Sequence, residues 1–449
     1  MQQPSETIGH KKLVIVGAIH SCISALMSPR RSYFKTFVVI AIIATGFYQV
    51  VNNSLFSVMS QYVSADEPAH IGTGLELLQQ GTYGYERMHP PLARVIAALP
   101  LYLYSEITIP QSNCSGRFSK WKEDIRANHN GGAFLHYCLT TMDYGFMDLK
   151  AAKAGRVMMW PFYLLSIFGV FLLAMNLSLS RSTAAFSAAF FSTVPIILWL
   201  GARVMTDLPF ICLAIWVLVT LQAMLKKATM AKAILLGLMG GLAALAKFSA
   251  LCFIPPISLA WLLLSWQRTK HKYALALFGL AIVIATLVVL LGWQFDISAL
   301  QEGLETVALK AEKGHAGELF PNGTLYMGEW YFYPTLLLIR TPLPLLLFCL
   351  FGAVLMLRHN REAALKVIAA SFIIMSLAMS TKININIHHI ALIYAPLTIL
   401  AGYAAHYLWQ FKIGVIAVCA ALALLAYPRD NLLSPVNTPA AALEYLIIK

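Results

Sequence analysis

The sequence predicts an all-α polytopic membrane protein with about eleven transmembrane helices and a long first outer loop containing juxtamembrane helices. Three observations carry this. Of 449 residues, 59% are hydrophobic and only 12% charged, about half the charge density of a soluble domain. Apolar runs long enough to cross a bilayer recur along almost the whole chain. The connections between those runs alternate in charge, as the positive-inside rule requires of a chain that crosses repeatedly.

The elements follow in order. Leu13 to Met27 is apolar but short, His20 interrupts it, and Arg30, Arg31 and Lys35 follow without a small-residue cleavage site. Residues 1–35 therefore read as a cytoplasmic or interfacial segment, not a cleavable signal peptide. The transmembrane domain occupies 36–427, and 428–449 form a short tail. The first span covers about Thr36 to Phe56, and the first outer loop covers 60–155. Later spans begin near Arg156, Thr183, Leu208, Ile234, Ser249, Tyr273, Pro334, Leu365, His389 and Ile413.

Within the outer loop, a helix is predicted to reach Gln80, with Ile71, Leu75 and Leu78 on one face and Gly81 as its stop. Pro91 to Tyr104 is apolar but too short to span, and suits a re-entrant or surface helix. Were it to cross, every later basic loop would flip outside.

The connections set the orientation. Basic residues occupy alternate loops: Arg181; Lys226, Lys227 and Lys232; Arg268, Lys270 and Lys272; Arg358, Arg361 and Lys366; and Lys412. The intervening connections hold Asp66 with Glu67, then Asp207, then Glu302, Glu305, Glu312, Glu318 and Glu329. The basic set is cytoplasmic and the acidic set faces outward. The net charge of +13 is thus a topology signal, and no nucleic-acid partner is expected. The run Ile234 to Trp266 has basic flanks on both sides, so the chain crosses and returns there. That puts Lys247 near the outer turn, where a charge is cheapest. Of seven cysteines, Cys22, Cys212, Cys252, Cys349 and Cys419 lie in apolar segments. Cys114 and Cys138 share one polar loop and can pair if it faces an oxidising compartment.

Three clusters can carry chemistry. The first is Ser64-Ala65-Asp66-Glu67-Pro68-Ala69-His70, just beyond the first span. Ser64 and Glu67 fit a capping box. The same carboxylates also suit a general base or metal ligand at the membrane surface. The second is Tyr83 to Leu92, where Pro90-Pro91 fixes the chain and His89 sits at headgroup depth. The third is Arg203 to Pro209, where Asp207 either caps the next helix or faces the first carboxylate site. Arg156, Lys247, Arg340, Lys382, His388 and His389 collect at the same depth. Charges at membrane depth are costly and usually functional, although long side chains can also snorkel. Cations beside two carboxylate sites suit an anionic phosphate leaving group next to a nucleophile that needs a base.

Asp66-Glu67, a helix, Tyr-Gly, His89-Pro90-Pro91-Leu92, an Arg156-led span and Thr206-Asp207, in that order, resemble the C-type glycosyltransferases. The resemblance is to protein O-mannosyltransferases and aminoarabinose lipid A transferases. It covers roughly Gln61 to Lys247, with a weaker echo at Arg340-Thr341-Pro342 and His388-His389. It implies sugar transfer from a polyprenyl-phosphate donor to a lipid, glycan or protein acceptor at the outer face of a bacterial inner membrane. Asp66 would be the base and Glu67 its neighbour. Arg156 and Asp207 would line the site, and His89 would lie by the lipid phosphate. The segment Ile107 to Lys153 is longer than in the aminoarabinose enzymes, and His388-His389 stands where relatives often have Arg.

The expectation is therefore an inverting transfer. Asp66, Glu67 and Asp207 form the catalytic set, and His89, Arg156, Lys247, Arg340, Lys382 and His388 receive the phosphate. No cofactor is required by the sequence; a divalent cation (magnesium, manganese or calcium) on Asp66 and Asp207 is the one alternative. The rival reading is a transporter or flippase of a lipid-linked anion, which would place charges near the midplane and show pseudo-symmetric halves.

Overall fold

The computed structural model describes residues 31–64, 66–84, 86–105, 149–266, 272–318 and 325–426. The N-terminal apolar segment, the tail 428–449, and Cys22, Cys114 and Cys138 lie outside the described residues.

The chain opens with α1 (Arg31–Leu55), a short 3-10 turn at Val58–Gln61, α2 (Asp66–Gln80) and α3 (Pro91–Tyr104). Helices α4 (Leu149–Val157), α5 (Trp160–Asn176), α6 (Arg181–Ser192), α7 (Pro195–Gly201) and α8 (Asp207–Lys226) follow. The next are α9 (Met230–Ala246), α10 (Ser249–Leu264), α11 (Lys272–Gly292) and α12 (Ile297–Lys313). A two-residue antiparallel pair, β1 (Gly317–Glu318) and β2 (Leu325–Tyr326), precedes α13 (Phe332–Arg340), α14 (Leu343–His359) and α15 (Arg361–Met379). A 3-10 segment Ile387–Ile393 leads into α16 (Tyr394–Leu408), and α17 (Lys412–Ala426) ends the described chain.

Every expected span start falls in or beside a helix. By length and hydropathy, however, six qualify to cross a membrane, or eight if the bent pairs α6–α7 (66°) and α13–α14 (110°) each count as one. The other three, α9, α10 and α17, have 17, 16 and 15 residues, short of the ~20 that a hydrocarbon core asks of an upright helix. The count of about eleven therefore stands at six to eight among the described residues. Proline explains one break, since Pro342 and Pro344 cannot continue α13.

Burial sorts the bundle. The apolar window of α8 is 89% buried, whereas that of α11 is 17% buried and turns its apolar side chains outward. Helix α8 packs on α5, α9 and α10, and α9 packs on α11. Outward apolar faces suit lipid contact. The two helices expected after the first span, α2 and α3, are present. Gly81 terminates α2 at φ 68°, a backbone that glycine adopts without strain. Pro91 opens α3 as its first residue, where a missing N–H costs nothing.

Helices α2 and α3 pack closely because of Gly74. A Cβ there would lie 2.2 Å from the Arg94 carbonyl oxygen. Gly74→Ala is expected to cost about 1–3 kcal/mol through overpacking, read as a lowered unfolding temperature of the detergent-solubilised protein.

Candidate active site

The site is assembled at one end of the bundle. Helix α1 delivers the chain to Asp66, α8 starts at Asp207, and α9 ends at Lys247. The basic residues Lys226, Lys227 and Lys232 lie at the opposite ends of α8 and α9. As anticipated, Lys247 occupies the break between α9 and α10.

A buried hydrogen-bond frame holds the second cluster. Arg94 is 0% exposed and forms an ion pair with Glu86. It donates to the Glu86 carbonyl (2.7 Å), the Tyr83 hydroxyl (3.2 Å) and His70 Nδ1 (3.2 Å). Tyr83 in turn donates to the His89 carbonyl (2.7 Å), while Glu86 Oε1 accepts from the His89 amide (3.1 Å). Glu76 Oε1 accepts from the Gly84 amide (2.6 Å) and the Thr82 hydroxyl (2.9 Å). Pairing and hydrogen-bonding make buried charge tolerable here, and the frame fixes His89 from both sides.

A cavity of about 260 Å³ brings together Asp66, His89, Asp207, Lys247 and His388 from the expected set. It adds residues that sequence reasoning did not single out for the site: His70, Lys310 from α12, and His315. His389 completes the lining, its ring 4.4 Å from that of His388. His315 arrives because its backbone bridges Ile383: its amide donates to the Lys382 carbonyl (3.1 Å), and its carbonyl accepts from Asn384 (2.8 Å). Asp207 and Lys247 form a buried ion pair at 2.6 Å. Asp66 is exposed and takes part in no ion pair with the described residues. Its charge is nonetheless felt by Lys310, whose pKa burial pushes down and Asp66 pulls back up.

The imidazoles outside the spans are held neutral. Burial first, then Lys247 and Lys310, lowers His89 to about 3. Burial, Arg94, His89 and Lys247 take His70 well down. Burial and Lys310 take His315 to about 4. His89 therefore meets a ligand as a neutral hydrogen-bonding group. A stability consequence follows. The unfolded chain protonates these groups near pH 6.5, while the folded chain resists until about pH 3 to 4. Stability is thus full above pH 6.5 and falls as the pH is lowered through that window. The unfolding temperature is expected to drop between pH 7 and 5, with a shallower slope in His89→Gln.

Other expected residues lie elsewhere. Glu67 and Arg156, both 0% exposed, form a bidentate pair at 2.7 Å. A guanidinium has five N–H donors, and Arg156 directs the rest at the carbonyls of Ser54, Ser60 and Tyr62. Glu67 also accepts from the amides of Ser64 (2.9 Å) and Val204 (3.1 Å). Neither has capacity left for substrate. This corrects Glu67 as a catalytic group and Arg156 as a phosphate ligand: they lock the segment after α1 onto α4 and the loop before α8. The glutamate half of the capping box is thereby made. Arg340, at the end of α13, and Lys382, exposed beside Ile383, do not line the cavity.

The residues present do not fit a divalent cation. Among the described residues no group of three or more His, Cys, Asp or Glu is placed to hold one. Asp207 already faces the Lys247 ammonium, which repels a metal.

The fold finds counterparts among solved structures. Residues 146–293 match the family model described as dolichyl-phosphate-mannose-protein mannosyltransferase, a stretch that contains Asp207 and Lys247. The chain superposes on ArnT from Cupriavidus metallidurans, solved with undecaprenyl phosphate, with a TM-score of 0.58 at 15% identity. Its fold is that of the C-type glycosyltransferase superfamily. That match covers 88% of this chain and 65% of ArnT, so the chain spans just under two thirds of that relative's length. The oligosaccharyltransferase of Archaeoglobus fulgidus, tethered to an acceptor peptide, matches with a TM-score of 0.54 at 12% identity, over 93% of this chain and 57% of its own. The oligosaccharyltransferase AglB from Archaeoglobus fulgidus, in complex with an inhibitory peptide and a dolichol-phosphate, matches with a TM-score of 0.51 at 11% identity, over 94% of this chain and 55% of its own. No curated protein sequence matches. With candidate spans along its length, this C-type fold is that of an integral membrane protein.

Proposed function

We propose that the protein transfers a sugar from a polyprenyl-phosphate donor to an acceptor hydroxyl, at the outer face of a bacterial inner membrane. The observation that carries this is the shared cavity: an exposed carboxylate, Asp66, beside two ammonium groups, Lys247 and Lys310, and a set of imidazoles. The C-type fold, with relatives solved with undecaprenyl phosphate and dolichol-phosphate, supports a lipid-phosphate donor.

In this reading Asp66 takes the proton of the acceptor hydroxyl as its oxygen attacks the anomeric carbon. The new carbon–oxygen bond forms as the bond to the phosphate oxygen breaks, and that electron pair leaves on the lipid phosphate. In-line attack inverts the carbon. The phosphate gains negative charge as it departs, so fixed cations lower the barrier more than they tighten ground-state binding. Lys310 and Lys247 supply that charge, and His89 and His388 hydrogen-bond the same group. Asp207 holds the Lys247 side chain in place through their ion pair.

Lys310→Gln tests the phosphate assignment. Its ammonium is not in an ion pair with a carboxylate among the described residues, so its loss leaves no buried partner stranded. The turnover rate is expected to fall about 10²-fold or more with little change in unfolding temperature. Unchanged turnover would remove Lys310 from the mechanism. If a donor merely crosses the bilayer intact, the transporter reading replaces this one.

A further inference from the structure

A second and larger cavity, of about 680 Å³, lies across an aromatic wall from the first. Phe248 lines the smaller cavity and stacks on Trp293 with ring centroids 6.0 Å apart, and Trp293 lines the larger one. Tyr83 packs edge-on against the same indole at 5.5 Å. Two left-handed turns rim the cavity. One is Gly81; the other is Gln294 followed by Phe295, at φ 54° and 61°. Such a backbone is strained for residues with side chains, and local strain concentrates at binding sites. The turn leaves Gln294 exposed at the cavity.

The lining differs in chemistry from the first site. Among the described residues its lining contains no lysine or histidine. Its cation, Arg87, is already paired with Glu302, while Glu76 and Asp296 keep the cavity acidic. A phosphate is therefore disfavoured. At its rim the exposed Gln294 carboxamide and Asp296 carboxylate offer donors and acceptors. Trp293 is 4% exposed, yet its indole N–H has no hydrogen-bond partner. A buried donor left unpaired is costly, and a ligand hydroxyl oxygen would satisfy it. Neutral, hydroxyl-rich ligands match such a donor–acceptor set.

We propose that this cavity binds a carbohydrate unit of the acceptor, which makes the acceptor a neutral oligosaccharide, free or carrier-linked. The inference rests on the sugar-transfer reading of the Asp66 site. Helix α2 connects the two cavities, with Asp66 at one and Glu76 at the other. Ten residues of helix span about 15 Å. The unit bound here is thus remote from the hydroxyl that reacts, and a monosaccharide cannot engage both sites.

Saturation-transfer NMR on the full-length protein in detergent tests this, with mannotriose, chitotriose and maltotriose as probes. At least one is expected to bind wild type and Asp66→Asn alike, with binding undisturbed by undecaprenyl phosphate. Gln294→Ala is expected to weaken that binding about five- to tenfold without lowering the unfolding temperature. Absence of binding by all three probes overturns the proposal. So does binding that undecaprenyl phosphate displaces, which would place the sugar in the donor cavity. Because Asp66→Asn retains this binding, failure of the catalytic assignment and failure of the glycan site give different results.

Discussion

Asp66→Asn is expected to lower sugar transfer by about 10²- to 10⁴-fold, the usual contribution of a positioned base. The side chain is exposed and forms no ion pair among the described residues, so the amide replaces it without stranding a described partner. It keeps the shape of the carboxylate while removing its negative charge and its capacity to accept a proton. Unfolding temperature and membrane insertion are expected to stay at wild-type values. A rate within a few-fold of wild type would withdraw the base assignment, because no other carboxylate in the cavity is unpaired: Asp207 is bound to Lys247.

Arg156→Ala is expected to act in the opposite way, on folding instead of chemistry. It leaves Glu67 ionised at 0% exposure with its main partner gone, and breaking a buried pair from one side costs about 3–5 kcal/mol. It also frees the carbonyls of Ser54, Ser60 and Tyr62. Expression in the membrane and unfolding temperature are the readouts. The double variant Arg156→Met/Glu67→Leu is expected to recover part of the loss, since it removes both charges together. A stable Arg156→Ala protein with a selectively raised donor KM would return Arg156 to the phosphate site.

The contrast between Asp66 and Glu67 shows what sequence could and could not read. Adjacent residues at a helix start look alike as capping groups or as catalytic carboxylates. One helical step, about 100°, turns Glu67 inward onto Arg156 and Asp66 outward into the cavity. The helix itself was legible from the spacing of Ile71, Leu75 and Leu78 and from Gly81. The direction of each carboxylate depends on α4, whose Arg156 is far away in sequence. Lys247 was readable because basic flanks force a return near it. Lys310 and His315 were not: they lie on an amphipathic helix and a short bridge whose placement over the site is a tertiary fact. The span count of about eleven is not confirmed: six to eight helices among the described residues meet the length and hydropathy expected of a crossing, and α9, α10 and α17 are apolar but shorter.

The central claim is that Asp66 and the cations of its cavity carry out transfer from a lipid phosphate. Its most direct measurement is mass spectrometry of purified protein incubated with polyprenyl-phosphate sugars and oligosaccharide acceptors. The account predicts free polyprenyl phosphate together with an acceptor heavier by one sugar, both missing with Asp66→Asn. Recovery of only intact donor from the wild-type protein across the donor panel, or equal product from the Asn variant, would contradict it.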